Sequence, residues 1–338
     1  MSLQYRKRLK VANGQWLHVF CSSLPPELAV ARTGVSALNR RGMEPDEIDT
    51  RDLQDLIAHI SNERIMLAQA LTERKAALVS RSMRAEWLRP LLNLLFMRKT
   101  KSRLEQDVQQ EVAKVEDLQT KANVHGMCFE WTVSQDIADR YDSVVKTFSD
   151  VLLSEVIWNI TSSSSVDQLV ERSNAYRSVS RRRVGFERGI PQCLSEQHQA
   201  PQQVPMLHNA NGEALFLYPG FVLLQGTQGL RIFLVKDLTI GTRIIHFAET
   251  DAVPRDSSLA GFRWLRENKD GSPDRRFLSN YQIPEVRYGE IKIEGGGLDE
   301  EFQISSAGYG RSFGKALEAL HRAVMWAHQN PTQASNGH

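Results

Sequence analysis

Six arginines between Arg172 and Arg188, in the stretch RSNAYRSVSRRRVGFER, stand against a single glutamate, with Tyr176 and Phe186 among them. Guanidinium groups at that density can neutralise successive phosphates, and interleaved rings can stack on unpaired bases. A second cationic run opens the chain. In LQYRKRLKV the alternation of a strand puts Arg6, Arg8 and Lys10 on one side, and residues 1 to 41 hold seven Lys or Arg against one Glu. Arg6, Lys7, Arg8, Lys10, Arg181, Arg182 and Arg183 are the candidate nucleic-acid contacts. Both runs equally suit an acidic protein surface or the wet face of a small sheet, because no zinc finger or DNA-reading helix accompanies them.

Other chemistry finds less footing. The nine histidines are scattered, with no His-Glu-x-x-His, and the three cysteines, Cys21, Cys128 and Cys193, form no Cys-x-x-Cys pair. His18 lies near Cys21, but a dyad needs an orienting group and a pocket. The glycines of GTQGLR and GGGLDEE lack the strand, helix and Lys-Ser/Thr context of a phosphate loop. The expectation is a chain without catalytic residues, metal or cofactor.

The run WLRENKDGSPDRRFLSNYQIPEVRYGEIKIE, Trp264 to Glu294, is dense in charge, turn formers and aromatics. Asp270-Gly271 and Ser272-Pro273 favour a tight turn, Asp274 can accept local amide hydrogens, and Phe277 is the expected apolar anchor. Arg275 and Arg276 offer guanidinium forks, either to Asp274, Glu285 or Glu290 or to an external carboxylate or phosphate. Internal ordering is the preferred reading. With Tyr281, the two arginines are also candidate partner-binding residues.

These groups must be carried by several elements. At 338 residues the chain calls for two or three cores, and 42 basic against 40 acidic residues, net +2, demand no polyanionic partner. Few cysteines, no continuous apolar leader and no window of spanning length point to a cytoplasmic protein, with membrane association disfavoured. Residues 1–43 read as a small beta-rich domain of short strands, with Asn13-Gly14 as a hairpin turn. From Asp49 or Thr50 a helix begins whose Leu53, Ile57, Ile60, Leu67, Leu71 and Leu78 recur at heptad-like steps, with Arg64 and Arg74 as polar exceptions. A second helix repeats the pattern through Leu104, Val108, Glu111, Val115, Leu118 and Ala122. Pro90 lies between them and predicts a break there, giving a helical hairpin or coiled coil.

The segment WLRPLLNLLFMRK admits a buried core or dimer surface, a docking knob with Trp87 and Phe96 as partner contacts, or an interfacial membrane helix. A further helix, with Ile137, Tyr141, Phe148 and Val151 on one face, is expected to pack on the hairpin, completing a region over 49–160. TSSSSVDQ then reads as a joint. Strand-like runs over 172–329 end in an amphipathic helix bearing Phe313, Leu320, Val324 and Ala327, and 330–338 reads as a disordered tail.

Several strands followed by one closing helix resemble a pleckstrin-homology-like barrel over roughly Gly185 to Gln329. The phrases LFLYPGFVLL, NKDGSPDRRF, NYQIPEVRYGEI and GLDEEFQIS are similar to a recurrent bacterial module of unannotated function, and LQYRKRLKVANGQWLHV to another small bacterial domain. The second likeness departs from its pattern at Asn13-Gly14 and lacks a Ser-Lys-Ser-Gly run. The resemblances cover the two ends of the chain. They imply an α+β protein with an antiparallel barrel and no established reaction. Terminal beta modules joined by a long helical arm, with no active site, make a non-enzymatic bacterial scaffold or adaptor the expected function, and the resemblance adds a stress or anti-phage system as its setting. Its expected partner is a protein or a second copy of the chain; nonspecific nucleic-acid binding is the alternative.

Overall fold

The computed structural model describes residues 5–12, 15–21, 46–94, 98–124, 126–165, 177–191, 194, 203–227 and 229–330. The chain divides into two compact units, the first formed by residues 1–9, 18–130 and 191–202, the second by 10–17, 131–190 and 203–338. A small sheet orders β1 (Tyr5–Ala12), β2 (Gln15–Cys21), β3 (Asp46–Ile48) and β4 (Met127–Thr132) as β3-β1-β2-β4. Period-two alternation buries Leu9 and Val11 on β1 and Leu17, Val19 and Cys21 on β2. The strand expected within residues 27–42 and the Asn13-Gly14 turn lie outside the described residues.

The first unit is dominated by a helical hairpin. α1 (Thr50–Leu94) starts where Asp49 Oδ1 accepts the Asp52 amide at 2.8 Å, so the anticipated aspartate caps it. The expected break at Pro90 does not occur, and the helix continues through that residue to Leu94. A proline deletes one hydrogen bond to the preceding turn; it does not by itself forbid the next turn. Only residues 95–97 separate α1 from α2 (Arg98–Val124), and so short a connection returns the second helix antiparallel against the first. The seam is the heptad-spaced one, with Ile60 and Val115 buried and Leu67, Leu71, Leu78, Leu104, Val108 and Leu118 half-buried.

The second unit holds two sheets. β5 (Ile157–Ser165), β6 (Arg177–Val184), β12 (Thr239–Ala248), β14 (Gln282–Gly295) and β15 (Leu298–Ile304) lie in the order β12-β14-β15-β5-β6, with β13 (Ser258–Trp264) paired to β14. The other sheet runs β11-β10-β9-β8-β7, from β7 (Phe186–Gly189), β8 (Val204–His208), β9 (Ala214–Leu217), β10 (Phe221–Gly226) and β11 (Gly229–Leu234). Neither sheet closes, which overturns the pleckstrin-homology-like barrel. A barrel needs its first and last strands to pair. Here β12 and β6, and likewise β11 and β7, are separate ends of linear orders.

α3 (Gln135–Val151) and α4 (Ala307–Gln329) pack on one another and on the sheets. Phe148 and Phe313 meet at 5.4 Å between ring centroids, inside a core that includes Phe302, Ile291, Ile293 and Leu224. The apolar face of α3, assigned from sequence to the hairpin, belongs to this core. α4 crosses β14 where Gly310 meets Gly289; a Cβ on Gly289 would lie 2.7 Å from the Gly310 Cα, so the crossing requires glycine. A buried polar knot joins the sheets. Glu300 on β15 accepts from Asn159 Nδ2 at 2.8 Å and from Asn209 Nδ2 at 2.7 Å. Burial pushes its carboxyl above the usual range, against the pull of both amides.

Candidate functional site

Alternation along β14 turns Gly289, Ile291 and Ile293 to the core and Glu290, Lys292 and Glu294 to the opposite face of the six-stranded sheet. That face carries an open cavity of about 650 Å³ lined by Arg177, Arg243, Lys292, Glu290, Asp299 and Glu301, among others. Arg177 Nη2 donates to both Glu301 oxygens, at 2.7 and 2.6 Å, and Arg243 Nε donates to Glu290. Lys292 Nζ lies 2.5 Å from Glu294 and 3.8 Å from Asp299. Burial pushes the Glu301 carboxyl up, opposed by the Arg177 hydrogen bond. Each cation in the groove is thus engaged by a carboxylate of the same face, and an incoming ion must compete with bonds already made.

The arginine triplet is divided: alternation sets Arg181 and Arg182 on opposite faces, and Arg183 is exposed as Arg182 is. Arg181 points into the sheet face, its guanidinium 4.2 Å from the ring centroids of both Trp158 and Phe247. Its Nη2 donates to Glu249 at 2.8 and 2.6 Å, and Tyr288 Oη donates to the same carboxylate at 2.6 Å. Burial, reinforced by that carboxylate, pushes the Tyr288 phenol well up. Arg181 is therefore committed internally rather than presented to phosphate. Arg182 and Arg183 are exposed beside a recess of about 360 Å³, where Arg182 Nη1 donates to the Ala210 carbonyl at 3.0 Å. On β1, Lys7 is 4% exposed, on the buried side with Leu9 and Val11, while Arg8 is half-buried and Lys10 exposed. Arg6 lies on β1, and its side chain is outside the described residues. Among the described residues of the proposed cationic set, Lys7 and Arg181 turn inward while Lys10, Arg182 and Arg183 are exposed.

The loop after β13 is tied to itself. Asn280 Nδ2 donates to the Arg266 carbonyl at 2.7 Å, the Arg266 amide donates back to Asn280 Oδ1 at 3.0 Å, and Gly271 turns at φ 80°. Arg276 forks onto buried Asp274 at 2.9 and 2.5 Å, as internal ordering required. Phe277 is not the anchor expected. Its ring is 42% exposed and lies 5.6 Å from the Arg266 guanidinium. Arg275 and Tyr281 are exposed, and Phe96 lies outside the described residues.

The remaining candidate is the hairpin itself. Glu111 of α2 occupies a seam position, fully buried, and accepts from Arg81 Nη1 of α1 and from Lys114 Nζ at 2.9 Å each, with Arg74 Nη1 at 3.6 Å. The Lys114 hydrogen bond leads in holding its carboxyl below the usual range, with Arg81 and Arg74 adding to it. A single ionic layer in an apolar seam fixes which turns of the two helices face each other. The opposite side of α1 is built differently. At 100° per residue, no charged side chain between Ala58 and Pro90 falls within about 40° of the line through Ala76. That line is open to solvent: Ile65 is 55%, Met83 64% and Trp87 71% exposed, with Val79 at its edge. Thr72 and Ser80 lie on it too, but their hydroxyls donate to the Ala68 and Ala77 carbonyls at 2.8 Å. The stripe runs about 50 Å.

The sequence reading reached one residue of this stripe, Trp87. The signal for the rest was the absence of charge at helical spacing, on a helix otherwise rich in Arg, Lys and Glu. Among the described residues there is no group of three or more side chains placed to hold a metal ion, and no helix long and apolar enough to cross a membrane. Comparison with protein-family models, curated proteins and solved structures finds no match.

Proposed function

We propose that the protein is a non-enzymatic scaffold or adaptor that assembles with protein through the outer face of its helical hairpin. One observation carries this reading: a charge-free stripe with Ile65, Met83 and Trp87 exposed, on a helix whose other side is already occupied by α2. An amphipathic helix buries one face; a second apolar face opposite the first is favourable only when something covers it. Protein contact is preferred over nucleic acid because two of the cations that reading needs are withdrawn from the surface: Lys7 is buried, and Arg181 is half-buried and bonded to Glu249. The same proposal takes a bacterial cytoplasm as the setting of this assembly, on the few cysteines of the chain and the likeness of its ends to bacterial modules, with a stress or anti-phage role.

The test compares the protein with a Met83→Lys, Trp87→Glu variant as immobilised bait in extract of the source cells. Far-ultraviolet circular dichroism first establishes that helix content is unchanged. Specific capture by the parent and its loss in the variant are expected; equal capture by both would remove the stripe from the function.

A further inference from the structure

We infer that the outer stripe of α1 is covered by α1 of a second copy of this chain, crossing antiparallel about a two-fold axis at Ala76. The inference rests on the proposed role of the stripe and names its occupant. An isologous contact must be self-complementary, each residue meeting the one at the mirrored distance from the axis. The stripe has that form. Ala76 is flanked by small Thr72 and Ser80, four residues to either side, then by Gln69 and Met83 at seven and Ile65 and Trp87 at eleven. Small residues at the centre permit close approach of the helix axes, and the longer side chains fill the space as the helices diverge.

Charge agrees with this pairing. The stripe itself is neutral, so no ion is buried without a partner. On one flank Glu73 and Arg84 are both exposed and of opposite sign. Antiparallel crossing at Ala76 puts each Glu73 five residues, about 7.5 Å, along the axis from Arg84 of the second copy, within the combined reach of the two side chains. The hydroxyls of Thr72 and Ser80 are already bonded to their own helix, so burying them costs no unmet donor. The ionic layer at Glu111 holds the opposite side of α1 in a set register, which keeps the stripe facing outward.

Sedimentation equilibrium of the full chain gives the first readout, with a reversible dimer expected. Ala76→Arg puts a charge at the axis and should weaken association about 100-fold with unchanged helix content. Orientation is read by oxidation: Ala76→Cys should link into a covalent dimer, whereas Ile65→Cys alone should not and should link to Trp87→Cys when the two are mixed. The parent, with its own three cysteines, is the control. A strict monomer up to about 100 μM, a dimer indifferent to Ala76→Arg, or self-linking of Ile65→Cys would each overturn the inference. A monomer that still loses captured protein on Met83→Lys, Trp87→Glu would leave the adaptor reading standing, while a monomer with no stripe-dependent capture would end both.

Discussion

On the six-stranded sheet, Phe302, Ile291 and Tyr288 are inside and the exposed-face charges are bonded to each other; on α1, Glu111 of the neighbouring helix is inside and Met83 and Trp87 are outside. The two regions use the same residue types with opposite placement. In the sheets each burial lowers the free energy of the unit by itself, because its apolar groups leave water and its ions are matched. In the hairpin the seam spends one position on an ionic layer that confers register, while apolar area on the far side stays wet. A region that satisfies its own surface is a platform. One that leaves a neutral stripe uncovered keeps apolar area in water, and the comparison supports the recognition role proposed for the hairpin over one for the larger cavity.

The strongest way to break this contrast is at the sheet core. Phe313→Ala removes a fully buried ring tilted against Phe148, and should cost about 4 kcal/mol of unfolding free energy. Denaturant unfolding followed by tryptophan fluorescence measures it. Trp87→Ala, by contrast, should leave the stability of the monomer within about 0.5 kcal/mol, since that ring is mostly in water. Equal losses for the two would mean that the hairpin stripe is part of the folded core and not a surface.

The helices were legible because their cues are local: the Asp49 cap and the heptad steps of α1 and α2 sit where the pattern puts them. What the sequence concealed depends on non-local pairing. SSSS read as a joint because it lacks apolar alternation, yet it is the outer half of β5, exposed from Thr161 to Ser165 and held by backbone pairing to β6. The apolar run LRIFLVKDLTIGTRIIHF carries no strong break, yet a 3-10 turn at Val235–Asp237 divides it between β11 and β12, which belong to different sheets. Strand order and a terminal helix say nothing of whether sheet edges meet, so closure was assumed where two open sheets exist. Of the candidate sites, charge clustering found Arg181, but only the strand's two-sidedness reveals that Arg181 turns inward while Arg182 is exposed.

That inward arginine sharpens the comparison at the next level. Glu249→Gln leaves the Arg181 guanidinium buried among Trp158, Phe247 and Tyr288 without its carboxylate, and should destabilise the protein by about 3 kcal/mol in thermal or denaturant unfolding. Replacing Arg181→Met and Glu249→Leu together with Tyr288→Phe, which removes the buried hydroxyl that would otherwise lose its acceptor, should recover most of the loss, because an apolar set of similar size needs no compensation in that site. The outcome separates two accounts of the sheet face. Recovery identifies the ion pair as internal packing; failure to recover, with loss of binding to any polyanion, would restore Arg181 to the recognition surface.

A smaller effect than either core change is expected at Phe277, in the loop between β13 and β14. A buried aromatic anchor would lose about 3 to 5 kcal/mol on truncation. Phe277 is 42% exposed and its ring faces the Arg266 guanidinium at 5.6 Å, an exposed contact of the kind that contributes about 0.5 to 1 kcal/mol. The loop's shape comes instead from Asp274, 3% exposed, which accepts the Arg276 fork, and from the paired bonds between Asn280 and Arg266. Phe277→Ala should therefore lower stability by no more than about 1 kcal/mol, whereas Asp274→Ala should cost more than Phe277→Ala because it leaves a set of loop donors unmet. Unfolding curves of the two variants decide the order. A loss from Phe277→Ala above that from Asp274→Ala would make the ring the anchor after all, and would show that an exposed apolar group can hold a fold together in the sheet unit as well as mark a contact on the hairpin.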